Sequence, residues 1–475
     1  MKAAFVAGLV AMAIPAGQPV QAGRIGATWQ PVYGLPPAKA VPFVSALRTI
    51  GGGFSRVTLY WTQLEPTPGA ARWDELDAYL AQLDRPDDAM LTIASASPWA
   101  TRVKAAVFPS SPAKDPAAYY AFVRRVVAHC AGRIRYFQAD TEPSNGFYWS
   151  GSAADYAVQQ RVFYRAVKDA DPHALVVLGG SDGLFDPGGA DPLPNQAATI
   201  AFLKEVLDDA RGAYDVFDLH LYADPYTIPD RVAFVRSLMR ASGGERPVIA
   251  AEMSGPGFFE FKPNRRFAAT LFGPAAGPDA VRLMRQSLDT LPIEARMFLD
   301  APDSDAGRRL LRIQSTDLVI RTTLALAAGV ERTAWFDMWH DDRDPDAPRN
   351  LINSPTGLFG GSPTALGSPT ALGKVFALLA AALGDAQTVT RLPTDATPDV
   401  YAYRVTRKSL RSLIVAWRRP AERGGQIASA PIDLPRDGAE CLARAVDGVQ
   451  AQVACHGSSI RLSLSDLPVI VGLPE

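Results

Sequence analysis

The feature that most constrains this chain is an alternation of two hydrophobic periods along most of its length. Short β-branched and aromatic runs at 24–29, 54–61, 90–95, 133–140, 174–179, 214–221, 247–251 and 332–337 read as strands. Stretches with apolar positions three and four apart follow them at 37–50, from Trp73-Asp74-Glu75-Leu76-Asp77 onward, and at 115–130, 152–170, 197–210, 231–241 and 374–383. With a long segment of helical stretches between the last two strands, these make eight strand-then-helix units and predict an α/β fold, a closed (β/α)8 TIM barrel. A doubly wound open sheet also alternates, but no glycine-rich phosphate loop follows an early strand.

A barrel needs roughly 250 residues, and the chain has 475. Met1-Lys2, the apolar run 3–14 and Val20-Gln21-Ala22 have the charge, core and small-residue end of a secretory signal. Cleavage is expected after Ala22, with a secreted or periplasmic product; a buried first helix is the alternative. The connection 253–330 is long for a barrel, and Phe258, Phe259, Phe261, Phe267 and Phe272 crowd it. Packing of that insertion on the barrel top is favoured over a cleft wall. Residues 362–373 repeat Ser-Pro-Thr-Ala-Leu-Gly twice, a local duplication. From 386 onward helical periodicity stops, and strands at 400–405, 409–417, 427–434 and 459–464 suggest a small β-sandwich. The expected domains are therefore a signal peptide at 1–22, the barrel at 23–385 and the sandwich at 386–475. An exported sandwich has the option of joining Cys441 to Cys455, while Cys130 reads as a small core residue.

Charge narrows the partner. With 48 basic against 49 acidic residues there is no field to attract nucleic acid or an anionic membrane, and a neutral ligand fits. No later stretch reads as transmembrane. The acid-rich segment His340-Asp341-Asp342-Arg343-Asp344-Pro345-Asp346 lacks the glycine and distal glutamate of an EF-hand, and no zinc spacing occurs, so neither a metal nor a cofactor is expected.

In a (β/α)8 barrel chemistry sits where the strands end. The fourth strand runs through Tyr136-Phe137-Gln138-Ala139-Asp140-Thr141 into Glu142-Pro143, and the seventh ends in Glu252. Each glutamate alone is a solvated loop charge or half of a pair. Two carboxylates facing one cleft are what glycoside hydrolysis requires, but end-of-strand glutamates also coincide by chance.

Several segments in order resemble a known family. These are Arg56-Val57-Thr58-Leu59-Tyr60-Trp61 with Leu64-Glu65-Pro66 and Trp73-Asp74; Pro98-Trp99-Ala100; Glu142-Pro143 with Trp149 and Asp155-Tyr156; Asp215 with His220 and Tyr222; and Arg246-Pro247 with Glu252. Together, over 24–383, they resemble the retaining glycosidases of clan A, most of all glycoside hydrolase family 39 and its relatives acting on bacterial exopolysaccharides. The resemblance implies Glu142 as general acid/base and Glu252 as nucleophile of a β-glycosidase. It implies that Tyr222 hydrogen-bonds the nucleophile and that Arg56 lies beneath it, although a core tyrosine and a structural ion pair are the plain alternatives. His220 is expected as a wall residue contacting substrate.

Trp61, Trp99, Tyr148, Trp149, Trp335 and Trp339 fall at strand ends, where sugar faces stack on aromatic rings; roughly half are expected to be core instead. The family has Asn before the acid/base glutamate, and Thr141 stands there, which offers one donor instead of two. Asn145 is a candidate substitute. A carbohydrate partner follows, with a glycan-binding barrel that has lost turnover, or a transglycosylase, as the other readings.

Overall fold

The computed structural model describes residues 24–29, 41–181, 196–272, 279–340, 346, 351, 356–362, 364–394, 397–408, 411–436, 439–447 and 450–473. The expected leader at 1–22 and the acidic stretch 341–345 lie outside them.

Eight parallel strands close a barrel: β1 (Arg24–Trp29), β2 (Phe54–Tyr60), β3 (Ala89–Ala94), β4 (Tyr136–Ala139), β5 (Leu175–Ser181), β6 (Val216–Leu219), β7 (Val248–Met253) and β8 (Arg332–Trp335). β1 pairs with both β2 and β8. Register shifts interrupt the ladders at the far ends of β5 and β7, under the site described below.

The interior is layered because side chains alternate along a strand. Phe54, Met90, Tyr136, Val177, Val216, Ile249 and Ala334 form an apolar layer toward the N-terminal mouth. Its larger aliphatic and aromatic members each contribute on the order of 1.5–3 kcal/mol by leaving water. Two residues further along their strands stand Arg56, Thr92, Gln138 and Asp218, a polar layer with no solvent exposure.

Helices cover the outside, and their starts are legible from the chain. Asp115 caps Pro116–Cys130 by accepting from Ala117 N, with proline at the first position where no N–H is missed. Phe122, Val123, Val126 and Val127 are its buried face. Ser152 and Asp155 make a capping box for Ala153–Ala170, and Ser304 caps Asp305–Ala327.

The duplicated hexapeptide adopts two structures. Its first copy lies in an antiparallel hairpin of β9 (Phe359–Ser362) and β10 (Ala365–Pro369), a feature the sequence pattern did not announce. In the second copy Thr370 accepts from Gly373 N and starts the helix Ala371–Leu383, three residues before the expected 374.

In the connection after β7, Phe258 and Phe261 build a separate small core with Val281, Met284, Phe298 and Leu310. Phe259 and Phe267 flank it, and the side chain of Phe272 lies outside the described residues.

The C-terminal region holds β11 (Ala386–Arg391), β12 (Val400–Arg407), β13 (Leu413–Arg418), β14 (Ala430–Pro435), β15 (Ala443–Ala445), β16 (Val453–His456), β17 (Ser459–Leu464) and β18 (Val469–Val471). They form antiparallel sheets ordered β11-β12-β13-β18-β15 and β14-β17-β16. Val400, Ala402, Ile414, Ala416, Ile460 and Leu462 fill the space between them. A disulfide joins Cys441 to Cys455 with 6.1 Å between Cα atoms. Cys130 is buried, and burial pushes its thiol up to about 12. Trp417 on β13 faces the barrel and donates to the Tyr226 hydroxyl at 2.9 Å. Among the described residues no helix is long and apolar enough to cross a membrane.

Candidate active site

The polar layer is one connected network centred on Arg56. Its Nε donates to Thr92 Oγ1 (3.0 Å), and its Nη2 to Gln138 Oε1 (3.0 Å) and Thr141 Oγ1 (3.2 Å). Its Nη1 pairs with Glu252 Oε1. Gln138 Nε2 donates to Asp218 Oδ2 at 2.7 Å, and Ala251 N donates to Asp218 Oδ1 at 2.8 Å. A buried guanidinium in such a layer must find acceptors on every side, and here it does.

Glu252, at the end of β7, is the acceptor of most consequence. Besides Arg56 it accepts from the Tyr222 hydroxyl at 2.8 Å, and its Oε2 lies 3.5 Å from His220 Nδ1. Burial alone would raise its pKa, but the charges of His220 and Arg56, with the Tyr222 bond, bring it below the ordinary glutamate range. It is held as a carboxylate.

Glu142 is presented by a bend. Asp140 (φ 58°) and Glu142 (φ 43°) both occupy the left-handed region, which costs on the order of 1–3 kcal/mol at each non-glycine residue. The buried carboxylate of Asp140 holds the bend by accepting from Ser95 N (2.7 Å), Ser95 Oγ (2.9 Å) and Gln159 Nε2 (3.2 Å). Glu142 Oε1 comes within 2.6 Å of His220 Nδ1. One oxygen of each glutamate and one nitrogen of His220 all lie within 4.8 Å of one another. Three such atoms are close enough to hold a cation, but the Arg56 guanidinium bonded to the same Glu252 carboxylate repels one.

His220 differs from the expectation of a wall residue. Its ring is fully buried beneath both carboxylates, with Nε2 3.2 Å from Asp218 Oδ2. Gly180 on β5 makes that position possible, since a Cβ there would stand 2.0 Å from His220 Nε2. Burial would lower the pKa of His220, yet the charges of Glu252 and Asp218 raise it well above the ordinary value. Asp218 itself, which burial would push up, is brought below the carboxylate range by His220 and Arg56.

Three of the expected sugar-stacking tryptophans are packed away. Trp61 has no exposed surface; it stacks on Phe122 (4.6 Å) and donates to Glu65 Oε2 at 3.0 Å. Trp149 packs edge-on against Tyr156, and Trp335 donates to Thr356 O at 2.9 Å with its ring enclosed. This corrects their reading as substrate contacts: Trp61 follows the inward Tyr60 and so points the other way, into the helical layer. Trp99 is half-buried, with its indole N–H on Glu65 O. Asn145 is exposed and makes a turn, accepting from Phe147 N at 3.0 Å while its own N–H donates to Glu142 O. Phe147 and Tyr148 of that turn extend an aromatic ledge: Tyr60, Phe108, Tyr148 and Phe147 are in successive ring contact, and Phe147 is 61% exposed.

Asp218, Gln138, Thr92 and Gly180 were missed by sequence reasoning. A signal existed for the first two: polar residues recur at every second position in Gln138-Asp140-Glu142 and Asp218-His220-Tyr222, which a buried strand tolerates only where the polar groups meet.

No family model matches this sequence, and no curated protein matches it. Solved structures do match in fold. A family 39 glycoside hydrolase from Bacteroides cellulosilyticus WH2 is similar with a TM-score of 0.62 at 15% identity, over 95% of this chain and 81% of that one. A glucosidase from Croceicoccus marinus gives 0.58 at 15% identity, over 96% and 97%. AbfB, a family 51 alpha-L-arabinofuranosidase from Bifidobacterium longum, gives 0.54 at 12%, over 96% and 97%. The chain thus has the barrel-plus-sheets fold of these glycoside hydrolases.

Proposed function

We propose that this chain is a retaining glycoside hydrolase acting on β-glycosidic bonds of a bacterial poly- or oligosaccharide. The observation that carries the reading is the pair Glu142 and Glu252, which bring one oxygen each to within 4.8 Å of one another, with the second held ionised by Arg56 and Tyr222. Retaining enzymes separate their carboxyls by about 5–5.5 Å and inverting ones by about 6.5–9.5 Å, because only the latter seat a water between carboxylate and sugar. The fold of solved glycoside hydrolases supports the same conclusion.

In the first step Glu252 bonds to the anomeric carbon while the bond to the leaving oxygen breaks and Glu142 protonates that oxygen. In the second, Glu142 takes a proton from water, whose oxygen displaces Glu252. Glu252 is suited to attack because its charge is stabilised in place before substrate arrives. The ledge ending in Phe147 hangs from the Glu142 turn and so fits the leaving-group side, where an apolar sugar face can stack. The Cys441–Cys455 disulfide and the leader-like N-terminus support export.

Thr141 favours one rival, a glycan-binding barrel without turnover, since its hydroxyl oxygen is engaged by Arg56 and no amide stands there. One experiment separates them. Purified wild type, Glu252→Ala and Glu142→Gln are incubated with a polysaccharide panel, and new reducing ends are counted. Wild-type release, with losses of roughly 10²–10⁴ or more in the variants, is expected. Binding without release favours the rival, and equal release by all three sinks the assignment. Product analysis also separates hydrolysis from transglycosylation.

A further inference from the structure

The Asp218 carboxylate has no solvent exposure; it accepts from Gln138 Nε2 and Ala251 N, and its Oδ2 lies 3.2 Å from His220 Nε2. An ionised carboxylate only accepts, so it selects the His220 tautomer with the proton on Nε2. Nδ1 then faces Glu142 Oε1 at 2.6 Å, a separation that requires one proton between nitrogen and oxygen. That proton is either on Glu142, facing a neutral ring, or on the ring, facing a carboxylate.

We propose that Asp218, His220 and Glu142 form a relay in which the His220–Glu142 pair stores the single proton that the acid step delivers, with Asp218 as the positioning residue. The proposal rests on the hydrolase reading above. Atoms balance across a turnover. The stored proton leaves with the glycosidic oxygen as Glu252 bonds to the sugar, and the proton from water refills the pair as Glu252 is released. Between the two steps the ring is neutral with Nε2–H still on Asp218, and its Nδ1 lone pair beside the Glu142 carboxylate makes Glu142 a stronger base.

Other charges facing the ring act on the same proton. Glu252 from β7 lies 3.5 Å from Nδ1, Arg56 from β2 is bonded to Glu252, and the Tyr222 ring is 6.2 Å away. Arg231, from the helix Ile228–Ala241, donates to His220 O at 2.8 Å. Arg56 and Arg231 oppose the proton, Glu252 and Asp218 hold it, and of the two anions only Asp218 touches Nε2.

The test needs no substrate. The full chain is labelled with ¹⁵N-histidine, and the His220 ring is assigned by replacing His129, His173, His340 and His456. In the wild type, Nε2 is expected to carry a proton throughout, and the ring to keep its second proton, or share it, well above the ordinary histidine value of about 6.5. Asp218→Asn preserves shape and an acceptor while removing charge, and is expected to weaken proton affinity at least tenfold with unchanged circular dichroism. A bare Nε2, or an ordinary titration near 6.5 in the wild type, overturns the relay even if the variant fails to fold. An unchanged midpoint in a folded Asp218→Asn also overturns it. A ring that behaves as expected in a protein releasing no sugar would sink the hydrolase reading and leave the proton store standing.

Discussion

Arg423, carried between β13 and β14 of the C-terminal region, stands with Nη1 2.7 Å from Asp317 Oδ1 on the helix Asp305–Ala327 of the barrel. Asp317 Oδ2 is 2.6 Å from Arg321, which donates to the carbonyls of Leu221 and Ala223, the residues flanking Tyr222. Burial would lower the pKa of Arg423, but the charges of Asp317 and Glu260 raise it further above its ordinary value. Replacing Arg423 with Met is expected to cost on the order of 2–3 kcal/mol. That is below the range for a fully buried pair, because the side chain is a fifth exposed and Arg321 remains. The shift of the urea midpoint measures it.

Tyr222→Phe removes one hydrogen bond to an ionised group and leaves the ring in place. Bonds of this kind contribute about 1.5–3 kcal/mol, so kcat/KM is expected to fall roughly 10- to 100-fold, with a smaller loss of stability because Arg56 still holds the Glu252 carboxylate. An equal fall in stability would assign Tyr222 to the core instead.

Gly180→Ala is expected to be worse for chemistry than its single methyl suggests. The new Cβ would collide with the His220 ring, and overpacking of this kind costs about 1–3 kcal/mol. Moving the ring also breaks its 2.6 Å contact with Glu142. Activity should drop further than in Tyr222→Phe, and the His220 resonances should shift.

Stability should fall on both sides of a plateau. Glu252, Asp218 and Asp317 have lowered folded values, so their contribution is present above the unfolded values of about 3.9–4.3 and is lost as pH falls through the folded ones. His220 has a raised folded value, so its contribution is complete below about 6.5 and is lost as pH rises through the folded one. Urea midpoints from acid to alkaline pH check this, and His220→Gln should remove its share of the alkaline decline while leaving the acid limb.

The barrel was legible because eight hydrophobic alternations leave few other architectures, and both glutamates were legible because strands end in them. The side to which a ring points was harder to read. Tyr60 and Trp61 are adjacent, yet one joins the aromatic ledge and the other stacks on Phe122, a difference set by where the strand's phase falls. The left-handed backbone at Glu142 was not legible at all. It is held by Asp140 bonding to Ser95 and Gln159, partners 45 and 19 residues away. The twin hexapeptides make the same point, since Ala-Leu-Gly is strand in the first copy and the first turn of a helix in the second.

The layering of the barrel interior has a kinetic consequence. Arg56, Asp218 and His220 are sealed on all sides, while the side chains of Glu142 and Glu252 retain only 7% and 10% of their surface toward the cleft. Among the described residues, proton traffic between this network and bulk water therefore passes the two carboxylates, and a glycan bound there as proposed would stand in its way. On the proposed mechanism, the protonation state the pair holds at the moment of binding would be locked in until the leaving group departs.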